Sequence, residues 1–402
     1  MKVKYLILGA GPAGLTFANM LKKQGEPDFL VLEKEREAGG LCRSCMVDGT
    51  ELDIGGGHFL DVRRPEVVDF VFEFMPREEW NDFDRDSRIE IHGTQIGHPF
   101  EANIWQLPEQ LQEMYLQSIK EAGCNNGIPK PARFTEWIRW KLGDAIADNY
   151  MIPYNRKLYG ENLDNLGTYW LEKLPSVSYE ETLLSCREHK PYGTQPGHAQ
   201  FYYPKKYGFG EVFRRMADNL GDQILYNTPV VRMNVDTRTV NDLYQAEYII
   251  TTIPWTAVDT LEGLAGEVKE KMSELKHTSV VVDYFSEKMD NEAQWIYYPD
   301  EEKVYHRILL RQNFLQNAKG YWTETRAERR EQREFSSEYS YKNEYAYPLN
   351  TIGKNDAVSC ILEYCRKRQV IGLGRWGEWQ HFNADAVISR SMELAKNFSK
   401  VQ

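Results

Sequence analysis

The sequence predicts an α/β protein in which an N-terminal parallel sheet is followed by an inserted helical region and a second mixed or antiparallel sheet. Three observations support this fold. An apolar run at residues 5–8 ends in a glycine-rich turn and then a helical pattern. Residues 107–154 have mostly helical periodicity, interrupted by turn residues at 123–131. Residues 279–285 and 294–313 contain the aromatic and β-branched runs that are typical of strands.

The composition indicates a large globular protein. The chain has 402 residues, of which 42% are hydrophobic, enough for an extensive core and more than one substructure. Its net charge of -11 argues against a nucleic-acid partner. No apolar run approaches 18 residues, and the first predicted strand begins within about three residues of the N-terminus. We therefore expect no transmembrane segment, no signal peptide and a cytoplasmic location.

The N-terminal turn carries a dinucleotide-binding motif. Gly9, Gly11 and Gly14 have the spacing G-x-G-x-x-G between a strand and a helix. The first glycine permits a tight turn, the second leaves room for a pyrophosphate, and the third lets the helix pack on the strand. Glu33 ends the next apolar run, where a carboxylate can accept hydrogen bonds from an adenosine ribose. An ordinary tight turn is the competing interpretation, but the position of the acid favours a Rossmann-like sheet.

Two further glycine clusters follow this motif. Gly39 and Gly40 can lie against a cofactor, and Arg43 just beyond them can offset phosphate charge. Residues 55–57 are all glycine, which favours close approach of the backbone to a flat ring. His58 then either faces that ring or is a capping or core histidine.

The C-terminal part is expected to return to the same cofactor. A strand at 370–373 enters a turn at Gly374 and Arg375, and a helix is predicted from about residue 385 to 397. Two strands that look buried on both sides are predicted at 224–235 and 248–252, and a charged, solvated helix at 323–334.

The cysteines do not indicate a metal site. Cys42 and Cys45 form a C-x-x-C motif, but no second pair with zinc spacing follows. We therefore expect no metal.

Several short motifs also occur in a recognisable order along nearly the whole chain. They are Gly56-Gly57-His58, the loop at 99–103, the segments at 134–138 and 153–157, the segment at 295–300 followed by Arg307, the segment at 345–348, and the turn at 374–377. On these motifs the chain resembles the UDP-galactopyranose mutases, within the larger flavin amine oxidase and protoporphyrinogen oxidase group. The resemblance implies a glutathione-reductase-type FAD-binding fold.

The resemblance also implies a reaction. In this family, N5 of reduced FAD attacks the anomeric carbon of a nucleotide sugar, the sugar opens and recloses with the other ring size, and no net redox change occurs. The protein supplies binding, orientation and electrostatics. The implied partner is a nucleotide-sugar substrate, used in polysaccharide biosynthesis.

Site residues are implied by position. His58 and Arg307 are the catalytic candidates. The implied FAD contacts, together with the glycine-motif residues, are Gly9, Gly11, Ala13, Gly14, Glu33, Lys34, Gly40, Leu41, Arg43, Gly57, His58, Val231, Gly374, Arg375, Phe382, Asn383, Ala384, Asp385 and Val387. The implied substrate contacts are Asn103, Arg187, Tyr297, Arg307, Tyr347 and His381, with Arg187 as a second diphosphate arginine.

The substrate site departs from the family pattern. His98, Glu101, His198, Phe314 and His381 replace residues that are usual in the family, which leaves both the sugar and the nucleotide open. The runner-up function is an FAD-dependent oxidoreductase of the amine oxidase and protoporphyrinogen oxidase group, and a flavoprotein-like binding module without chemistry is a third. An oxidase favours an apolar cage, whereas a mutase needs cations on a diphosphate, which the motif around Arg307 supplies.

Five segments are expected to make up the domains. These are a first FAD-binding part at 1–95, a helical insertion at 96–190, a second FAD-binding part at 191–270, a substrate-domain sheet and helix at 271–350, and a C-terminal FAD-capping segment at 351–402. The sequence leaves the oligomeric state open.

Overall fold

The computed structural model describes residues 1–171, 177–194, 198–332 and 336–399. No helix within these ranges combines the length and apolar character needed to cross a membrane. The helices are α1 (Pro12–Lys23), α2 (Pro65–Phe72), α3 (Phe100–Asn103), α4 (Glu109–Glu121), α5 (Phe134–Ile146), α6 (Ile152–Tyr159), α7 (Tyr179–Glu188), α8 (Gly210–Asp218), α9 (Gly266–Ser273), α10 (Ala327–Arg330), α11 (Lys354–Arg366), α12 (Gly374–Gly377) and α13 (Ala384–Ser399). The strands are β1 (Lys2–Leu8), β2 (Phe29–Leu32), β3 (Ser44–Val47), β4 (Thr50–Asp53), β5 (Leu60–Asp61), β6 (Trp80–Asp84), β7 (Ser87–Ile91), β8 (Thr94–Gly97), β9 (Gln200–Pro204), β10 (Ile224–Leu225), β11 (Arg232–Asn234), β12 (Thr239–Val240), β13 (Tyr244–Thr251), β14 (Thr260–Glu262), β15 (His277–Phe285), β16 (Trp295–Tyr297), β17 (Arg307–Leu309), β18 (Tyr321–Arg326), β19 (Tyr339–Pro348) and β20 (Val370–Gly372).

The N-terminal sheet has the order β10–β2–β1–β13–β12–β11–β14, and β20 also pairs with β13. β1 runs parallel to β2 and β13, so Ile7 lies between Val31 and Ile250. Ile7 packs into a core shared with α1, α8 and α13, whereas Leu6 packs into a second core shared with α9 and α11. Strands covered on both faces are continuous apolar runs, as the sequence shows here. The predicted Rossmann-like sheet is confirmed.

The second sheet has the order β19–β15–β18–β17–β16–β7–β8. Its strands are antiparallel except for the parallel pair β7 and β16, so the predicted mixed sheet is confirmed. Tyr297 lies opposite Arg307, and Arg307 lies opposite Glu324 on the next strand. Directly opposed residues point to the same face, so three strands contribute one row of polar side chains.

Helices α3 to α7 pack on the hairpin that β7 and β8 form. Their shared core takes Ile89 and Ile96 from the hairpin, together with Tyr115, Phe134 and Ile138 from the helices. Helices α3 to α7 fall within the range 96–190, which the sequence predicts as a helical insertion. The exact domain boundaries, here and in the other four segments, stay predictions.

The charged helix predicted at 323–334 is wrong over most of its length. Residues 321–326 form β18, which lies between β15 and β17, and α10 covers only the four residues that follow. Residues 333 and 334 lie outside the described residues. Thr323, Glu324 and Thr325 are buried. Glu324 forms an ion pair with Arg307 inside the sheet and is not part of a solvated face.

The strand predicted at 224–235 is also interrupted. β10 and β11 are its two ends, and residues 226–231 leave the sheet between them. Pro229 lies in this stretch and has no backbone N–H to donate to a neighbouring strand. The loop that results carries Val231 towards the edge of the sheet where the predicted cofactor contacts lie.

Candidate active site

A cavity of about 630 Å³ lies at the carboxyl ends of β1, β2 and β13, and we call it the cofactor cavity. Ligands of open α/β sheets bind at this edge. Most of the predicted cofactor contacts line it: Gly9, Gly11, Ala13, Glu33, Lys34, Gly40, Leu41, Arg43, His58, Val231, Arg375, Phe382, Ala384 and Val387. Its volume falls in the range of about 300–1,000 Å³ that is usual for ligand pockets.

The turn after β1 has the geometry that its glycines predict. Gly9 has a φ of 100°, in the left-handed region that favours glycine. A Cβ on Gly14 would lie 2.0 Å from the carbonyl oxygen of Gly9, so α1 packs directly on the turn. α1 begins after Gly11 without a side-chain cap. Its first backbone N–H groups are therefore available to bind a pyrophosphate.

Glu33 and Arg43 are held by backbone groups at the cofactor cavity. The Glu33 carboxylate accepts hydrogen bonds from the N–H groups of Ala10 (2.7 Å) and Glu35 (2.9 Å). Burial raises the pKa of Glu33. Arg43 donates from Nε to the carbonyl oxygen of Gly40 (3.0 Å). These contacts orient one acceptor suited to a ribose and one cation suited to a phosphate.

The C-terminal segment returns to the cofactor cavity, as the sequence predicts. Gly374 has a φ of 76°, and a Cβ there would lie 2.7 Å from the Cβ of Ala13. Arg375 donates from Nη2 to the carbonyl oxygen of Phe382 (2.8 Å) and from Nη1 to that of Ala346 (3.0 Å). Burial lowers the pKa of Arg375. The glycine permits close contact with α1, and the arginine places a guanidinium at the cavity wall.

A second cavity of about 160 Å³ adjoins the first, and we call it the polar cavity. Leu41, His58, Arg375 and Ala384 line both cavities. The polar cavity is further lined by Gly57, Arg85, His198, Trp295, Tyr297, Arg307, Glu324, Tyr347, His381 and Asn383. Three of the predicted substrate contacts other than Arg307 are in this set, namely Tyr297, Tyr347 and His381.

Arg307 is held by a buried carboxylate in the polar cavity. Glu324 is 1% exposed and accepts hydrogen bonds from Nε (2.9 Å) and Nη2 (2.7 Å) of Arg307. It also accepts one from the N–H of Gly57 (2.9 Å). Burial opposes both charges, yet the pair raises the pKa of Arg307 and lowers that of Glu324. The side chain of Arg307 is therefore fixed before any ligand binds.

Sequence reasoning missed Arg85, which lies between β6 and β7. Its Nη2 donates to the hydroxyl of Tyr297 (2.9 Å), and its Nε donates to the hydroxyl of Ser87 (2.8 Å). Its guanidinium carbon lies 4.7 Å from the centre of the Trp295 ring. In the sequence Arg85 stands among aspartates at 82–86, a pattern typical of an exposed turn. Only the pairing of β7 with β16 brings it to Tyr297.

His58 lies at the boundary of the two cavities. Its Nδ1 is 2.9 Å from the carbonyl oxygen of Gly56. Burial, and then the charge of Arg375, lower the pKa of His58 to about 3. At neutral pH the ring is therefore uncharged, with Nδ1–H donating to Gly56 and Nε2 left as an acceptor.

The start of α13 does not place every predicted cofactor contact at the cofactor cavity. Asn383 lines the polar cavity instead. Asp385 lines neither cavity: it is 1% exposed and forms an ion pair with Arg64. A carboxylate in the first turn interacts favourably with the helix dipole, so Asp385 is placed to stabilise α13.

Two predicted substrate residues are not brought to either cavity. Asn103 is buried on α3 and donates from Nδ2 to the carbonyl oxygen of Pro99 (2.8 Å). Arg187 is exposed on α7, because Thr182 and Ser185 occupy the buried face of that helix. The structure therefore gives no support to Arg187 as the second diphosphate arginine.

One grouping among the described residues has the spacing of metal ligands, namely Asp61, His198 and Asp385. Both carboxylates already bind guanidinium groups, Asp61 that of Arg63 and Asp385 that of Arg64. These two cations would compete with a metal ion, so we describe the group as an ion-pair cluster.

Several solved structures share the fold of this chain. A crystal structure of reduced UDP-galactopyranose mutase superposes with a TM-score of 0.88 at 22% identity, over 100% of this chain and 95% of that one. A putative protoporphyrinogen oxidase from Exiguobacterium sp. 255-15 has a TM-score of 0.68 at 14% identity, over 100% and 99% of the two chains. A putrescine oxidase bound to putrescine has a TM-score of 0.63 at 13% identity, over 100% and 99%. At these identities the likeness concerns the fold.

Among curated proteins, an uncharacterized protein in the nifH2 3' region of Methanothermococcus thermolithotrophicus is 49% identical over 53 residues. The match covers 13% of this chain and about half the length of that protein.

The family comparison is broader. The profile of the flavin containing amine oxidoreductases matches residues 12–286, more than half of the chain. The uncapped start of α1 and the close glycine contacts around the cofactor cavity fit a bound dinucleotide. The chain is thus an enzyme that belongs to the family of flavin-containing amine oxidoreductases, with FAD as its cofactor.

Proposed function

We propose that this chain is an FAD-dependent nucleotide-sugar mutase that interconverts pyranose and furanose forms of a sugar. The observation that carries the proposal is the composition of the polar cavity. Its described lining includes the guanidinium groups of Arg85, Arg307 and Arg375 and the hydroxyls of Tyr297 and Tyr347. Such groups suit a diphosphate and repel a cationic amine substrate. The fold shared with reduced UDP-galactopyranose mutase supports the same conclusion.

The chain's own part in this reaction is electrostatic. Reduced FAD, when bound, supplies at N5 the nucleophile that attacks the anomeric carbon. The nucleoside diphosphate that departs gains its full charge only as the glycosidic bond breaks. Arginine and tyrosine donors placed around it therefore stabilise the transition state more than the bound substrate.

His58 and Arg307 are the residues to which we assign direct contact with reacting groups. Arg307 contacts the leaving diphosphate. His58 lies where the two cavities meet, and its Nε2 can accept a hydrogen bond from a sugar hydroxyl. Because its ring is neutral, His58 orients the sugar without competing for the diphosphate charge.

We assign the pyrophosphate, the ribose and the flavin ring of FAD to different parts of the cofactor cavity. The N–H groups at the start of α1 bind the pyrophosphate, and Glu33 binds the ribose. Arg375 and the start of α13 lie at the end of the cavity that adjoins the polar cavity, which is where we place the flavin ring. The positive end of the α13 dipole and the Arg375 charge favour the anionic reduced form of that ring.

The second candidate is an FAD-dependent oxidoreductase that acts on an amine or a porphyrinogen. The family and the structural likeness to protoporphyrinogen and putrescine oxidases favour it. Bound FAD would supply the oxidant for such a substrate and would be reoxidised by oxygen, so turnover would consume oxygen. A mutase consumes none.

The test incubates dithionite-reduced holoprotein with UDP-galactose and related nucleotide sugars, and separates the products by chromatography. We expect a ring-size isomer that forms with reduced and not with oxidised protein. Arg187→Ala is the matched control, since this arginine is exposed and lines neither cavity; it should retain full activity. Stoichiometric oxygen consumption with an amine or porphyrinogen, and no isomer from any nucleotide sugar, would overturn the proposal.

A further inference from the structure

We propose that Arg85 and Tyr297 bind the phosphate farther from the flavin, while Arg307 and Tyr347 bind the phosphate attached to the sugar. The inference rests on the proposed function and assigns each half of the diphosphate to one arginine–tyrosine pair. It gives Arg85 the role that the sequence suggested for Arg187.

Two arginine–tyrosine pairs are visible in the polar cavity. Nη2 of Arg85 donates to the hydroxyl of Tyr297 at 2.9 Å. Nη2 of Arg307 lies 3.4 Å from the hydroxyl of Tyr347 and donates to it. Because Tyr297 and Arg307 are directly opposed on β16 and β17, the two pairs adjoin each other. Each pair presents a guanidinium edge and a hydroxyl, the donors that a phosphate group accepts.

The residues around each pair indicate which phosphate that pair binds. The Tyr297 ring lies 5.5 Å from the Tyr154 ring and 5.3 Å from the His98 ring, both in the part of the chain that carries the helices. The Arg85 pair therefore borders the helical part of the chain.

The other pair faces the cofactor. The Tyr347 ring lies 4.9 Å from His381, and the guanidinium carbon of Arg375 lies 5.7 Å from the centre of the same ring. Arg375 also lines the cofactor cavity. A diphosphate that spans both pairs then has its sugar end beside the flavin and its nucleoside end beside the helices.

The charge of the cavity matches such a ligand. Its described lining includes the guanidinium groups of Arg85, Arg307 and Arg375 and the carboxylate of Glu324. Glu324 compensates Arg307, to which it is bound, so that pair alone is close to neutral. A diphosphate carries about two negative charges, and the Arg85 guanidinium is the donor beside Tyr297 that can bind one of its phosphates.

The experiment measures the dissociation constants of UMP, UDP and inorganic pyrophosphate for oxidised holoprotein by calorimetry. UMP has only the phosphate next to the nucleoside, so it probes the Arg85 pair alone. Arg85→Gln should weaken UMP and UDP alike, by about 10- to 100-fold, and Arg85→Lys should weaken both less. Tyr347→Phe should weaken UDP by about 3- to 10-fold and leave UMP unchanged. This split is one that a merely structural role would not produce.

Arg88→Gln is the matched control, because Arg88 lies on the adjoining strand, pairs with Asp86 (2.6 Å) and lines neither cavity. FAD content and melting temperature of each variant show that it has folded. Unchanged UMP and UDP affinity in Arg85→Gln overturns the inference, even where the parent converts a nucleotide sugar and the proposed function stands.

The remaining outcomes separate the two proposals. Pyrophosphate binding that depends on Arg85 supports the diphosphate site, even if no nucleotide sugar is converted and the proposed function fails. A parent protein that binds none of the three probes overturns the inference, and the isomerisation assay then decides the proposed function separately.

Discussion

The cofactor cavity and the polar cavity share a wall but are built from different parts of the chain. The cofactor cavity lies at three strand ends and is lined in part by glycines at close approaches of the chain to itself. The polar cavity is formed by charged and aromatic side chains from several strands of the second sheet. The first requires glycines at its turns, and the second requires buried charged side chains.

This difference predicts which substitutions disrupt each cavity. A glycine-built surface tolerates loss of distant side chains but not the addition of a methyl group. A surface built from buried charge tolerates little removal, because each charge that remains must still be compensated. The two cavities should therefore respond oppositely to truncation and to enlargement.

The largest effect is expected from truncation in the polar cavity. Arg307→Ala leaves the 1% exposed carboxylate of Glu324 without its counter-ion, which should cost about 3–5 kcal/mol of the free energy of unfolding. Under the proposed function it should also slow turnover by roughly 30- to 1000-fold, through loss of diphosphate stabilisation. Urea denaturation and product assays measure the two effects.

The double variant Arg307→Ala with Glu324→Gln separates these effects. It removes the uncompensated charge, so most of the lost stability should return while turnover stays low. If Arg307→Ala unfolds at the same urea concentration as the parent, the stability of the polar cavity does not depend on this ion pair. The predicted difference between the two cavities is then wrong.

The next effect is expected from enlargement in the cofactor cavity. A Cβ on Gly11 would lie 3.8 Å from the nearest atom, the α-carbon of Gly40, which is an ordinary contact. Gly11→Ala should thus leave the stability of the apoprotein unchanged. Its methyl group points into the space of the cofactor pyrophosphate, so FAD affinity should fall by about 1–3 kcal/mol, or roughly 5- to 150-fold. Absorbance of the purified protein and FAD titration of the apoprotein measure this.

Gly266→Ala is the control for enlargement, because a Cβ there meets nothing within 4 Å and the residue lines neither cavity. It should retain parental FAD affinity. Equal FAD affinity in Gly11→Ala and the parent would show that the pyrophosphate does not lie on this turn.

The smallest effect concerns acid sensitivity beside the polar cavity. His306 is 1% exposed, and burial lowers its pKa to about 3, from about 6.5 in an unfolded chain. Between these values the unfolded chain takes up a proton that the folded chain does not. Acidification from pH 6.5 to 5.5 therefore favours unfolding by about 1 kcal/mol, which is the change to be measured.

His306→Leu should remove that contribution. Its free energy of unfolding should fall less steeply than that of the parent below pH 6.5, as measured by urea denaturation at several pH values. Parallel curves for the two proteins would show that His306 can be protonated in the folded chain.

Much of the cofactor cavity could be predicted from the sequence, because its determinants are local. The spacing of Gly9, Gly11 and Gly14 between a strand and a helix specifies backbone geometry within a few residues. Glu33 follows at the end of the next strand, and parallel strands bring their ends to one edge. Asp385 is an exception, because it was predicted as a cofactor contact and instead pairs with Arg64. Its helix was predicted correctly, but the ion pair depends on packing between distant segments.

The polar cavity could be predicted less well. Tyr297, Arg307 and Tyr347 were found through resemblance, whereas Arg85 was hidden among aspartates and reaches the cavity only through strand pairing. Glu324 was missed because its segment looks like a charged helix. A buried ion pair overrides that local preference, and nothing in the segment itself reveals its partner.

The pairing of the first strand has a consequence for synthesis of the chain. β1 pairs with β13, and α1 packs against α13, where Tyr5 and Phe17 contact Phe398. Translation at about 5–20 residues per second delays α13 by about 20–75 seconds after α1 emerges. During that interval the apolar strand and one face of α1 lack their final partners, so the nascent chain keeps an apolar segment exposed until α13 is made.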